Sequence, residues 1–293
     1  MNHRDVLKSI PAPERAALQK RSDAAGLAHL ALYLAALALT GTWIASGAPF
    51  WWAALMPHGI LLVFLFTLQH ECTHDTPFAS RWLNRLVGHL SGLVLVQPFT
   101  WFRHFHLAHH RHTNDPENDP ELEGGPRPGS RRAWLWHVSG LPAWRGWIAN
   151  LLQQAIAPRP APYLPARALP KIRREARLML GAYVVLIALF GWQLFWLWAL
   201  PMLLGQPVLR LYLLAEHGRC PAVADMLSNT RTTFTNRLVR FLAWNMPYHI
   251  EHHSAPNVPF HKLPELHRLM APHLKSTSPS YSGFTRDYFA GLD

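Results

Sequence analysis

A chain of 293 residues with 49% hydrophobic and 15% charged residues can bury a large core. Its apolar residues, however, are pooled into two blocks, Gly26 to Gln69 and Leu178 to Ala215, which speaks against an ordinary soluble domain. The formal charge of +11 is not distributed as in a nucleic-acid binder, because no Lys or Arg falls within 26–74 or 178–209 and no nucleic-acid motif is present. Cys72 and Cys220 belong to no C-x-x-C pair, which argues against a zinc ribbon or a chain-encoded iron–sulfur cluster.

Residues 1–25 alternate charge with small apolar residues and are expected along the cytoplasmic membrane surface; they lack the pattern of a secretory leader. Each apolar block is about twice the ~20 residues a helix needs to cross ~30 Å of hydrocarbon. Each therefore predicts a pair of spanning helices, at about 27–46 and 50–69, then 178–192 and 194–215. The Lys and Arg distribution puts both termini and segment 75–177 in the cytoplasm, leaving short turns near Ser46 to Phe50 and Gly191 to Gln193 on the other side.

His29 and His58 have no histidine three or four residues on and read as packing residues. The second helix delivers Gln69-His70-Glu71-Cys72-Thr73-His74-Asp75 to the cytoplasmic edge. Histidines four apart on a helix reach one metal or two adjacent ones. Glu71 and Asp75 can orient a ring by accepting its other N–H, and Cys72 reads as a packing residue.

Segment 80–100 predicts an interfacial helix that Pro98 stops, with His89 structural. Trp101 to His112 then carries His106-x-x-His109-His110, whose offsets of three and four put three imidazoles on neighbouring parts of one helical face. His104 and His112 flank this box and are expected to support it rather than bind metal. The acidic turn Asn114 to Glu121 ends the helix at its prolines. It is expected to be solvated while able to accept hydrogen bonds from the box, with Asp115 the candidate.

A Gly/Pro loop at 124–130 precedes an Arg/Trp-rich segment, 131–157, suited to the headgroup layer. The basic surface as a whole reads as lipid-headgroup contact and a landing area for an acidic protein. A stiff linker, Pro158 to Pro170, and a basic collar, Lys171 to Arg177, lead into the second hairpin, where Pro201 and Pro207 predict a kink. That hairpin ends in Ala215-Glu216-His217, level with the first box, which makes His217 a candidate ligand and Glu216 its support. The third box is His249-x-x-His252-His253, with Glu251 inside it. His261, His267 and His273 follow in a proline-broken surface segment. The domain reading is a segment 1–25, a membrane domain 26–275 and a tail 276–293.

His70, His74, His106, His109, His110, His217, His249, His252 and His253 thus converge at one depth from four segments. A proton or ion pathway would spread polar groups through the bilayer instead. Nine imidazoles exceed what one zinc takes but suit two metals, and imidazole does not by itself name the metal.

HECTH, HLAHH followed by RHTNDPENDPE, and NMPYHIEHH followed by PNVPFHKLPELH resemble the membrane fatty-acid desaturase and hydroxylase superfamily over about residues 25–275. The resemblance implies an all-α integral-membrane fold of four transmembrane helices in two hairpins, with cytoplasmic helices forming a histidine-rich di-metal cap. It implies two iron ions on the box histidines and His217, with zinc able to occupy the site in purified protein. Leu213 stands where some acyl-CoA desaturases use an asparagine, so the implied shell is all histidine, as in alkane hydroxylases. The NDPENDPE run is similar to that of carotenoid hydroxylases. The implied activity is O2-dependent oxidation of unactivated C–H bonds, desaturation of a lipid acyl chain first, with a hydroxylase or ketolase of an alkyl, lipid or carotenoid substrate as the alternative. The implied electron donor is a separate ferredoxin, rubredoxin or cytochrome b5-like protein. A membrane metal-binding protein without redox activity, and a lipid-binding scaffold with structural metals, are the readings from other classes.

Overall fold

Small polar residues, glycine and proline set where the helices of this chain begin and end. In the computed structural model, which describes residues 1–293, Asn2 closes a capping box onto α1 (His3–Ser9). Next come α2 (Ala12–Leu18) and α3 (Asp23–Ser46), where the Ser22 side chain accepts from the Ala25 amide. Gly47 ends α3 at φ 62°, a left-handed conformation that glycine adopts without steric cost. The chain returns through α4 (Leu55–Thr73), then α5 (Arg81–Leu95), and α6 (Phe99–His112) opens directly after Pro98. The middle segment forms α7 (Arg131–Val138) and α8 (Leu141–Ile156). Two long helices follow, α9 (Leu169–Phe190) and α10 (Leu200–His217), the latter preceded by a π-turn at Phe195–Ala199. The tail holds α11 (Met226–Asn229), α12 (Arg237–Leu242), α13 (His249–Ser254), α14 (Leu263–Met270) and α15 (Tyr281–Ala290). The only sheet is a two-residue parallel pairing of Thr232–Thr233 with Thr277–Ser278.

Three stretches are long and apolar enough to cross a membrane: Ala12–Ser46, Trp51–Thr73 and Phe195–His217. The helix expected at 178–192 is the second part of α9, whose first turns carry Lys171, Arg173, Arg174 and Arg177. Its apolar remainder is shorter than the ~20 residues of a full span. Leu178, Val184, Ile187 and Leu189 on it are each more than 60% exposed, an apolar face that calls for cover other than water.

α4 lies at the centre of the molecule, with Val63, Phe64, Leu65 and Leu68 in the main core. It meets α10 backbone to backbone: a Cβ added at Gly59 would sit 2.0 Å from the Pro201 carbonyl oxygen, and one at Gly205 2.4 Å from the Gly59 carbonyl oxygen. From this crossing both helices run toward the same end, reaching His70 after eleven residues and His217 after twelve. At about 1.5 Å per residue the two histidines arrive level.

Side chains satisfy the helix ends around this pair. Tyr183 and Trp198 donate to the Leu93 and Val94 carbonyls near the end of α5, at 2.6 and 2.9 Å. Glu175 of α9 accepts from the Phe99 and Thr100 amides at the start of α6, at 2.7 and 2.9 Å, and binds His89 at 2.8 Å. The N-terminal segment packs Val6, Ile10 and Leu18 into the same core as Ile250 and Leu263, and the His3 amide donates to Asp225 at 3.0 Å. It therefore clasps the tail as well as extending the surface.

Candidate metal centre

α4 brings His70 to its last turn and His74 to its C-cap. α6 carries His106, His109 and His110; α10 ends on His217; and α13 supplies His249, His252 and His253. These nine rings meet. His70, His74, His106, His110 and His252 each place a ring nitrogen within 4.8 Å of the others, and His109, His217 and His253 form a second such group. His249 joins the second group, its Nε2 3.0 Å from His217 Nε2. The groups abut where the rings of His110 and His253 stack at 4.0 Å.

The ring orientations carry chemical information. His109 Nδ1 lies 2.9 Å from Asp119 Oδ1, and His217 Nδ1 lies 3.5 Å from the Asn229 carbonyl oxygen. Glu216 Oε1 lies 3.4 Å from His249 Nδ1 and Glu71 Oε1 3.3 Å from His252 Nδ1, close to these rings without hydrogen-bonding them, since both Nδ1 atoms are buried without a partner. An acceptor facing Nδ1 keeps the proton there and leaves Nε2 with a lone pair. Yet Nε2 atoms face one another: His74 and His106 at 2.9 Å, His109 and His217 at 3.2 Å, His110 and His252 at 3.2 Å. At His109 and His217, where an acceptor faces each Nδ1, the opposed lone pairs repel unless a cation lies between them. Nitrogens bound to one metal at about 2.0–2.1 Å stand about 3 Å apart, the spacing found here. Both ring nitrogens of His70 and Nε2 of His253 are buried without a hydrogen-bond partner, as a donor set for metal leaves them.

Burial, followed by neighbouring imidazoles, holds His106, His110, His252 and His253 well below the usual histidine range, and His249 likewise. His74 is pulled down to about 3 by burial and then by Arg103. These rings are neutral at pH 7, the form in which imidazole binds metal. At His109 burial also pulls downward, but Glu121 and Asp119 outweigh it and raise the value.

Several supporting residues differ from expectation. Asp115 meets only its own turn, at Glu117 N and Asn118 Nδ2; Asp119, four residues on, is the carboxylate that reaches the box. Asp75 pairs with both terminal nitrogens of Arg103 at 3.0 Å. Glu251 accepts from Thr232 at 2.6 Å and contacts His267 Nδ1. It thereby braces α13 from behind without touching a box ring, and His267, expected at the surface, becomes part of that brace. His104 lies on the opposite face of α6, in an outer pocket with Arg85, Lys171 and Arg174. His112 is half exposed, 3.9 Å from Asp115. Thr113 Oγ1, 3.2 Å from His253 Nδ1, and Asn229 have no sequence cue. His29 and His58 stay outside the cluster, at 2.9 and 3.1 Å from the Phe241 and Leu197 carbonyl oxygens.

A cavity of about 500 Å³ reaches His70, His106, His109, His217 and His249, walled by Phe66, Phe102, Phe105, Leu213 and Leu214. The centre therefore has an approach with aromatic and leucine walls beside polar groups, Glu121, Arg127, Asn150 and Arg210 among them, of the size a small lipid segment needs.

A family model described as "Fatty acid desaturase" matches residues 48–285. Among curated proteins, the chain is similar to the sn-1 oleoyl-lipid 12-desaturase of Arthrospira platensis, 23% identical over 227 residues, covering 70% of this chain and 64% of that one. It is similar to the sn-1 acyl-lipid omega-3 desaturase (ferredoxin) of Nostoc sp., 32% identical over 77 residues, 26% of this chain and 18% of that one. It is also similar to the sphingolipid delta(4)-desaturase of Drosophila melanogaster, 28% identical over 236 residues, 78% and 68% of the two chains. The matched stretches cover less than two thirds of the first two relatives.

Proposed function

The chain belongs to the fatty acid desaturase family, and from that premise we propose that it is an integral-membrane enzyme that desaturates a lipid acyl chain at a centre of two iron ions. The observation that carries the reading is the facing of Nε2 atoms at about 3 Å in both histidine groups.

His70, His74, His106, His110 and His252 would hold one ion, and His109, His217, His249 and His253 the other. Bound iron supplies the O2 chemistry that takes hydrogen from an unactivated C–H bond. The protein's own part is positional. Asp119 and the Asn229 carbonyl hold the proton on Nδ1 of His109 and His217, so that Nε2 of each would face the metal. Phe66, Phe102 and Phe105 wall the approach beside the histidines, and the cavity would hold the chain in place. The net change removes two hydrogens from adjacent carbons and reduces O2 to two waters with two electrons and two protons. The electrons come from a separate acidic donor, ferredoxin, rubredoxin or cytochrome b5-like, that docks on the basic surface.

In this reading four spans form two hairpins, α9 crossing with its basic first turns in the headgroup layer because its apolar turns alone fall short of a span, and the termini and the metal cap face the cytoplasm. The Lys and Arg of 1–25, 75–177 and the tail, against none in the turns at 46–50 and 191–193, support that orientation. The test is to supply the enzyme in membranes with O2, an electron donor and acyl lipids, and to weigh the products. Loss of two hydrogens is expected. Gain of one oxygen would make it a hydroxylase, and no O2 consumption with any reductant would return it to metal binding alone.

A further inference from the structure

Arg210 stands inside Phe195–His217, a stretch apolar enough to cross a membrane. A cation at such a position is costly and is ordinarily paired or functional. This one has no ion pair: its Nε and Nη2 are buried without a hydrogen-bond partner, although Glu121 and Glu216 line the same cavity. The guanidinium is held 5.5 Å over the Trp147 ring, so it is positioned while Nε and Nη2 stay free. His137, whose buried Nε2 is also without a partner, and Asn150 line the cavity beside it. The exposed lining residues Glu121, Gly124, Gly125, Pro126 and Gly146 mark where the cavity opens.

Arg210, Leu213, Leu214 and His217 are spaced i, i+3, i+4 and i+7, which puts them on one face of α10, and all four line the cavity. A free donor, two leucines and a box-facing imidazole therefore follow one another along a single stripe. Arg210 and His217 are about 10 Å apart along the axis at 1.5 Å per residue. An extended alkyl segment of roughly eight carbon–carbon bonds, each about 1.5 Å long, covers that distance.

We infer that Arg210, on the wall of the cavity, receives the polar head of the lipid, an oxygen acceptor such as a carboxylate, ester carbonyl or hydroxyl. The head then lies against the guanidinium, the chain runs over Leu213 and Leu214, and the oxidised carbons are set by their distance from the head. This rests on the reading of the chain as a lipid desaturase.

The experiment supplies the wild-type enzyme in membranes with O2, an electron donor and saturated acyl lipids of graded chain length, and maps the new double bond by mass spectrometry. Its position counted from the head is expected to stay constant as the chain lengthens. Arg210→Leu is expected to raise KM at least about tenfold, as loss of a charged hydrogen bond does, with kcat and bound metal little changed. Arg210→Lys should recover part of the loss, because a point charge remains. A bond that follows the methyl end, or an unchanged KM in a folded Arg210→Leu, would overturn the inference while leaving the desaturase reading intact. Should the wild type oxidise no lipid at all, the desaturase reading itself falls and takes this inference with it. The chain-length series needs no variant, so it decides the matter even if Arg210→Leu does not fold.

Discussion

Asp119 accepts from three donors at once: His109 Nδ1 at 2.9 Å, the Asn114 amide at 2.8 Å and the Glu121 amide at 3.0 Å. The two amides fix the carboxylate, and the fixed carboxylate fixes the ring. Asp119→Asn is therefore expected to weaken metal retention in the His109 group by about 10- to 100-fold, read by chelator titration of the purified protein. Asp115→Asn should leave metal retention unchanged, since that side chain meets its own turn and the half-exposed His112 but no box ring. The convergence of the box histidines was legible because offsets of three and four on a helix leave little choice of face. Their supporting carboxylates were not, because the path of a turn between two prolines decides whether Asp115 or Asp119 points inward. Helical phase alone explains His104: two residues from His106, it is rotated about 200° around α6, away from the other rings.

At the level of elements, the crossing of α4 and α10 decides whether the histidines meet. Gly59 and Gly205 let the two backbones touch, and similar runs from that point bring His70 and His217 level. A methyl group at either glycine meets carbonyl oxygen that cannot move without parting the helices. Gly205→Ala should therefore cost about 1–3 kcal/mol, seen as a lower unfolding temperature in detergent, and should loosen metal binding although position 205 lies far from it. Gly181→Ala, on the open side of α9, is the control and should be silent. The two apolar blocks were readable by length and lack of charge. This crossing was not, since it depends on what faces each glycine from another helix. α9 shows the limit of block length as a guide, for its basic collar belongs to the same helix as the apolar turns.

Across the whole molecule, four separated segments converge from α4, α6, α10 and α13, and the N-terminal helices and tail close around them. The core that stabilises the fold and the shell that orients the rings are one continuous structure: Ile250 is a core residue between His249 and Glu251, and Leu68 lies half a turn before His70. Such a site is formed by the fold as a whole and is not a graft on one loop, so the ordered trio of histidine boxes could reveal it in the sequence while the cavity and its arginine could not. Metal content per chain, measured on protein purified from membranes and taken together with X-ray absorption of the bound metal, tests the central claim most directly. Two ions per chain in a nitrogen-dominated shell are predicted, whether iron or zinc fills the site. A single ion, none, or a shell dominated by oxygen or sulfur would contradict it.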